Sequence, residues 1–369
     1  MGRFFPLFLL LLLLPLAAVS GQNTATPQPV QSEPAASAQV QTLPASGGTD
    51  RRITLDVQVT DKSGKPIRGL QEQDFTLLDD KQPQKIVSFH AVDVGAAATA
   101  DPPVEIALVV DAINANFQSL AFERDAVKKF LLQNGGKLAR PVSLIIFSEA
   151  GTNFSNSSRD GNALADAFNK YPIGNRSPTR FHDGYYGATE RIDVSLKALS
   201  SIVTNEKAQP GRKLVIWIGP GWPLLSQTYN HLTSKDAQQL FNSIVNASTE
   251  LRQDRITLYS VDQLFPWNAG GARITYYENF LKGVASPSQA LPGGMGVQVL
   301  SAQSGGRVLN SSNDLTAAIA NCAADADAFY VLSFDSQPAD QADEYHALQV
   351  TVDKPGITAR TRTGYYAQR

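Results

Sequence analysis

Residues 53–60 read Ile-Thr-Leu-Asp-Val-Gln-Val-Thr, apolar and polar in alternation. A period of two sends one side of the backbone inward and the other to water, the pattern of a half-buried strand. The turn residues Asp61-Lys62-Ser63-Gly64-Lys65-Pro66 end it. Residues 74–78 and 85–89 predict two further strands around the turn Asp79-Asp80-Lys81, and the small, Pro-bearing stretch 94–102 reads as a linker.

The pattern then changes. Val-Glu-Ile-Ala-Leu-Val-Val-Asp at 104–111 is almost wholly apolar, as a strand covered on both faces should be. Similar runs at 142–147, 213–218, 256–261 and 329–334 alternate with helical spacing at 119–133, 161–170, 188–203, 234–252 and 312–324. A further helix closes at 301–306, before Arg307-Val308-Leu309. Strands alternating with helices imply right-handed crossovers and a doubly wound, mainly parallel α/β sheet. The run at 329–334 is expected to be its last strand. Residues 346–352 and 357–363 alternate again and have no helix to pair with. The N-terminal strands are too few for a stable core of their own. The expected architecture is therefore an α/β domain over 103–336, inserted into a small β-sandwich formed by 51–93 and 341–369.

Residues 1–20 carry Arg3, an apolar run from Phe4 to Leu16 and the small residues Ala17, Ala18, Val19 and Ser20. This is the layout of a secretory signal peptide cleaved after Ser20, so a secreted or periplasmic protein is expected, with no membrane insertion after cleavage. Residues 21–50, rich in Pro, Gln, Ala, Ser and Thr, cannot bury enough surface to offset ordering entropy and read as a disordered linker. With 32 basic and 34 acidic residues and no basic stripe, nucleic acid is not an expected partner. Cys322 is the single cysteine, which excludes an internal disulfide and any Cys-rich metal site. It reads as a small buried residue.

Catalytic motifs are lacking. The four histidines form no His-Glu-x-x-His, and there is no Gly-x-Ser-x-Gly elbow or phosphate-binding Gly-Lys loop. A non-enzymatic binding module is expected. The alternative is a hydrolase working from the 172–187 loop, where His182-Asp183 could serve in acid/base chemistry.

The buried strand ending in Asp111, followed by Ala112-Ile113-Asn114-Ala115-Asn116, resembles the von Willebrand factor A domain family. Ser304-Gly305-Gly306-Arg307 before a late strand is similar too. Gly69-Leu70 leading to Asp74-Phe75, and the ending Thr361-Arg362-Thr363-Gly364-Tyr365-Tyr366, look like the family's bacterial secreted, vWFA-related branch. The resemblance spans about residues 53–367 and implies protein binding in adhesion or assembly. In metal-dependent members an Asp-x-Ser-x-Ser loop, a Thr and a second Asp hold Mg²⁺. Here Asp111 matches, and Thr189 after Gly187-Ala188 could supply the threonine. Ile113 and Ala115 stand at the serine positions, and Gly219-Pro220-Gly221 lacks the Asp. Asn114 or Asn116 could lend an amide oxygen. The resemblance thus implies at most a degenerate Mg²⁺ site of Asp111, Asn114 and Thr189, and otherwise no cofactor. The plainer reading makes Asp111 a carboxylate that caps nearby backbone amides.

Loops after the strands should gather at one end of a doubly wound sheet, where ligands bind. They carry Asn116, Phe117, Arg180, His182, Tyr185, Trp222 and Trp267, and aromatic and arginine side chains dominate binding hot spots. The alternative for Trp222 and Trp267 is that they cover the sheet edge. The expected partner is a protein or cell-envelope ligand, met by a monomer.

Overall fold

The computed structural model describes residues 51–93, 104–172, 185–222, 232–263 and 276–367. The expected signal peptide, the 21–50 linker and the 94–102 linker lie outside them. The N-terminal part contributes β1 (Arg52–Asp61), β2 (Phe75–Asp79), β3 (Gln82–Gln84) and β4 (Ser88–Asp93). The C-terminal part contributes β12 (Ala328–Asp335), β13 (Glu344–Val352), β14 (Ile357–Arg360) and β15 (Gly364–Ala367).

These eight strands form two four-stranded sheets, ordered β14-β1-β12-β4 and β15-β13-β2-β3. Alternation decides which side chains turn inward. Ile53, Leu55, Val57 and Val59 of β1 meet Leu77, Leu348 and Val350 of the opposite sheet in one core. The hairpin between β2 and β3 turns on Asp80 and Lys81, both at positive φ (46° and 69°), as a tight two-residue hairpin turn demands. The strand expected at 85–89 instead begins at Ser88.

The largest correction concerns β12. The run at 329–334 does not close the parallel sheet; β12 pairs antiparallel with β1 and β4 in the sandwich. Both of its faces are covered. Tyr330, Leu332 and Phe334 belong to the sandwich core, whereas Phe329 packs into the core of the α/β region. A strand covered on two sides is apolar throughout, whichever sheet it joins.

Between the two halves of the sandwich run β5 (Glu105–Asp111), α1 (Phe117–Leu131), β6 (Lys137–Ser148), β7 (Gly151–Phe154), β8 (Ser158–Asp160), α2 (Gly161–Lys170), α3 (Tyr185–Lys207) and β9 (Lys213–Ile218). They are followed by α4 (Ser234–Gln253), β10 (Ile256–Gln263), α5 (Val297–Gln303), β11 (Val308–Ser312) and α6 (Leu315–Ala323). The sheet order is β11-β10-β9-β5-β6-β7, with β8 also on β6. Strands β5, β6, β9, β10 and β11 are parallel, and the short β7 and β8 are antiparallel at the edge. One face is covered by α1, α2 and α6 through Leu120, Val127, Leu164 and Ile319. The other is covered mainly by α3 and α5 through Ile202, Val203 and Leu300. Cys322 is buried on α6, and burial pushes its thiol up to about 12. Strand order reverses between β5 and β9, which opens a crevice at their carboxyl ends. No helix among the described residues is long and apolar enough to cross a membrane.

At the opposite, amino-terminal edge of this sheet, charged groups join it to the sandwich. Asp56 of β1 pairs with Arg255 at 2.5 Å and lies 3.9 Å from Arg212. Asp325 pairs with Arg360 at 2.5 Å and Arg307 at 3.5 Å, and it accepts from the Tyr259 hydroxyl at 2.8 Å. The Arg212 guanidinium also lies over the Phe329 ring, 4.5 Å from its centre.

Candidate functional site at the carboxyl edge of the parallel sheet

Asp111 ends β5 and is fully buried. Its Oδ1 accepts from the backbone N–H groups of Ile113 (3.1 Å) and Asn114 (2.9 Å). Its Oδ2 accepts from the Asn114 side-chain amide (2.8 Å) and the Trp217 indole N–H (3.0 Å). A carboxylate offers about four acceptor positions, and all four are used. Burial raises the Asp111 pKa and these hydrogen bonds oppose the rise. Neighbouring backbone completes the fit. Gly219 follows β9 at φ +138°, and a Cβ there would lie 2.9 Å from the Asp111 Cβ.

This geometry fails the test for the Mg²⁺ site that the resemblance implied. Ile113 and Ala115 are buried apolar side chains at the serine positions. The Asn114 amide nitrogen is committed to Asp111 and to the Ser195 hydroxyl at 3.0 Å, which leaves only its buried oxygen without a partner. Asp111 keeps no acceptor position for a cation, so the residues present do not fit a metal held by it. Asp111 instead fixes the β5–α1 loop. Thr189 lies in α3, and its side chain is outside those described.

Two further carboxyl groups stand near Asp111. Glu123 lies on the inward face of α1, fully buried, and neither of its oxygens has a hydrogen-bond partner. Burial, then repulsion from Asp262 and Asp111, pushes its pKa well above the usual carboxylate range. Burial pushes Asp262, near the end of β10, up to about 6 against a hydrogen bond from the Gln263 N–H. Buried oxygens of Asn114 and Gln263 are also without partners. Among the described residues, this edge is rich in acceptors and poor in donors.

The expected docking residues separate. Asn116 caps α1, accepting from the Ser119 N–H at 2.9 Å, while its neighbour Phe117 is 71% exposed. Trp222 is corrected: only 3% exposed, it donates to the Met295 carbonyl at 2.8 Å and meets the Trp217 ring edge-on at 5.2 Å. It is a core residue covering the sheet edge, with no face to offer a partner. Tyr185 lies in α3 with its side chain outside those described, and Arg180, His182 and Trp267 lie outside the described residues. So does most of the 172–187 loop of the hydrolase alternative.

Beside the β5–α1 loop, a cavity of about 450 Å³ opens between the β6–β7 hairpin and α3. Ile113, Phe147, Phe154 and Val194 give it apolar walls, and Glu190 and Lys197 of α3 add charge.

Sequence reasoning missed Trp217, Ser195, Glu123 and Asp262. For Glu123 a signal existed, because it falls at helical spacing between Leu120 and Val127 on the apolar stripe of α1. An acid on such a stripe is buried or marks a boundary.

No family model and no curated protein sequence matches the chain. Among solved structures it is similar to an aerotolerance-related membrane protein of Bacteroides fragilis, at 12% identity over 61% of this chain and 98% of that one, with a TM-score of 0.34. It is similar to the pilus adhesin SpaC of Lactobacillus rhamnosus GG, at 12% identity over 85% of this chain, with a TM-score of 0.33; it spans about half of SpaC (48%). It is also similar to the vWF domain of the type V pili tip protein Mfa5 of Porphyromonas gingivalis, at 14% identity over 40% of this chain and 51% of that one, with a TM-score of 0.22. The parallel sheet has the doubly wound α/β order β11-β10-β9-β5-β6-β7 with Asp111 at the switch point, the arrangement that the resemblance to von Willebrand factor A domains implies.

Proposed function

We propose that this chain is an exported, non-enzymatic binding module for a protein or cell-envelope ligand, working without a cation at Asp111. The observation that carries the reading is the cavity between α3 and the β6–β7 hairpin. It lies beside a loop that Asp111 holds rigid through four hydrogen bonds. Rigid apolar concavities with a few charges at the rim are the usual form of a binding site. Phe117, exposed in the first turn of α1, adds an aromatic anchor at the same end of the sheet.

The test is site-specific photocross-linking in envelope extracts. A photoreactive phenylalanine analogue replaces Phe117 or Phe154, and a control places it at Val87, an exposed apolar position on the sandwich. Capture of a common partner at 117 and 154 but not at 87 supports the reading. Capture equal at all three positions, or at none, overturns it. Adding Mg²⁺ is expected to leave the melting temperature unchanged, and a rise lost in Asp111→Asn would restore the metal-dependent form.

A further inference from the structure

The sandwich holds a second cluster of polar groups, remote in sequence from Asp111. Asp79 ends β2, Asp80 opens the hairpin turn and His346 sits on β13. Alternation along β13 points His346 inward, on the same side as Leu348 and Val350 of the sandwich core. Two carboxylates converge on one ring nitrogen. His346 Nδ1 is 3.1 Å from Asp79 Oδ1 and 3.4 Å from Asp80 Oδ2. One ligand atom from each of the three residues lies within 4.8 Å of the other two.

We propose that Asp79, Asp80 and His346 bind a divalent transition-metal ion of the Zn²⁺ class, with a remaining coordination position open to solvent. Donors bonded at about 2.0–2.1 Å to a four-coordinate ion stand roughly 3.3 Å apart, a value that lies between the two observed separations. The remaining oxygens are held by the protein. The Tyr365 hydroxyl donates to Asp79 Oδ2 at 2.8 Å, and the Ala347 N–H donates to Asp80 Oδ1 at 2.9 Å. These outer donors turn the free oxygens, Asp79 Oδ1 and Asp80 Oδ2, toward the histidine. Outer donors of this kind orient the ligands of built metal sites. The Tyr365 ring stacks on His346 at 5.0 Å and fixes the plane of the imidazole.

A lone His–Asp pair would need one carboxylate. Here one buried and one exposed acid share one nitrogen, and a divalent ion balances both. One imidazole and two carboxylates suit Zn²⁺, Co²⁺ or Mn²⁺ better than Ca²⁺ or Mg²⁺, which prefer oxygen donors throughout. Access is available, since the Asp80 side chain is 52% exposed. Bound there, the ion clamps the β2–β3 hairpin to β13.

The test uses the full chain freed of metal with a chelator. Calorimetric titration with Zn²⁺ is expected to show one equivalent bound with proton release, and Co²⁺ should give visible absorption bands from low-symmetry coordination. Asp80→Asn keeps an oxygen for the Ala347 N–H, so its fold survives, and binding should weaken on the order of 100-fold. Tyr365→Phe removes only the outer donor and should weaken binding roughly 10-fold. His346→Gln should abolish the Co²⁺ bands, with circular dichroism checking the fold of each variant. The proposal is overturned if Zn²⁺ and Co²⁺ fail to bind in the millimolar range, or if binding persists at wild-type strength in Asp80→Asn and His346→Gln.

Discussion

The two ends of the parallel sheet are built on opposite electrostatic plans. At the amino-terminal edge, Asp56 and Asp325 face Arg212, Arg255, Arg307 and Arg360, and both of these carboxylates have cations, although Glu206 nearby is buried with one oxygen unpartnered among the described residues. At the carboxyl-terminal edge, Asp111, Glu123 and Asp262 crowd together, and no ion pair reaches them among the described residues. Asp111 is held by neutral donors alone, and Glu123 by none. The first edge is joined to the sandwich and has a structural task. The second faces the loops and stores unmet acceptor capacity, a common property of sites that bind.

Breaking the paired edge should have the largest effect. Asp325→Ala strands Arg307 and Arg360 beside a buried interface and is expected to cost about 3–5 kcal/mol, read by denaturant unfolding. A loss below about 1 kcal/mol would mean the pairs are ornamental. At the other edge, Asp111→Ala leaves the Ile113 and Asn114 amides and the Trp217 indole without an acceptor, at a cost of about 3 kcal/mol. Trp217 fluorescence should shift with it. Asp111→Asn retains some acceptors and should cost less.

The pH dependence sharpens the contrast. Asp262 binds its proton more tightly folded than unfolded, with a pKa raised from 3.8 to about 6. The folded state therefore holds more protons between those values, and the stability contributed by this group falls as pH rises through that window. The expected loss is on the order of 2 kcal/mol, absent in Asp262→Asn. A difference between the variant and wild type that stays constant from pH 4 to 6.5 would refute it. The smallest effect is expected at Glu123. Replacing a buried, unpartnered carboxyl with Leu should stabilise by about 1 kcal/mol near pH 7. Destabilisation would mean that Glu123 has a partner in solution.

Much of the fold was legible because periodicity reports burial. The alternation of β1 and of β13 marked the sandwich from both ends of the chain, and the apolar run ending in Asp111 marked the central parallel strand. The same logic misplaced β12, since a pattern reports how many faces are covered and not what covers them. Trp222 was misread because a loop position does not fix the direction of a side chain. Asp111 as a capping carboxylate was within reach of local reasoning. Its bond from Trp217, 106 residues away, was not, because only the sheet register brings them together. Convergence of Asp79 and His346, 267 residues apart, was hidden for the same reason.

Strand β1 also has a consequence for how the chain acquires its structure. Its partners are β12 and β14, and Arg52 meets Asp335 across 283 residues. Closing so long a loop is entropically unfavourable until contacts exist to offset it. The α/β region, whose strand pairings all span far fewer residues than that, can collapse first and bring the two ends together. Until β12 to β15 are synthesised, β1 and β2 wait with open hydrogen-bonding edges, a state prone to misassociation. A chain truncated before β12 should therefore aggregate through its N-terminal strands, and a peptide spanning β12 to β15 supplied in trans should suppress that aggregation.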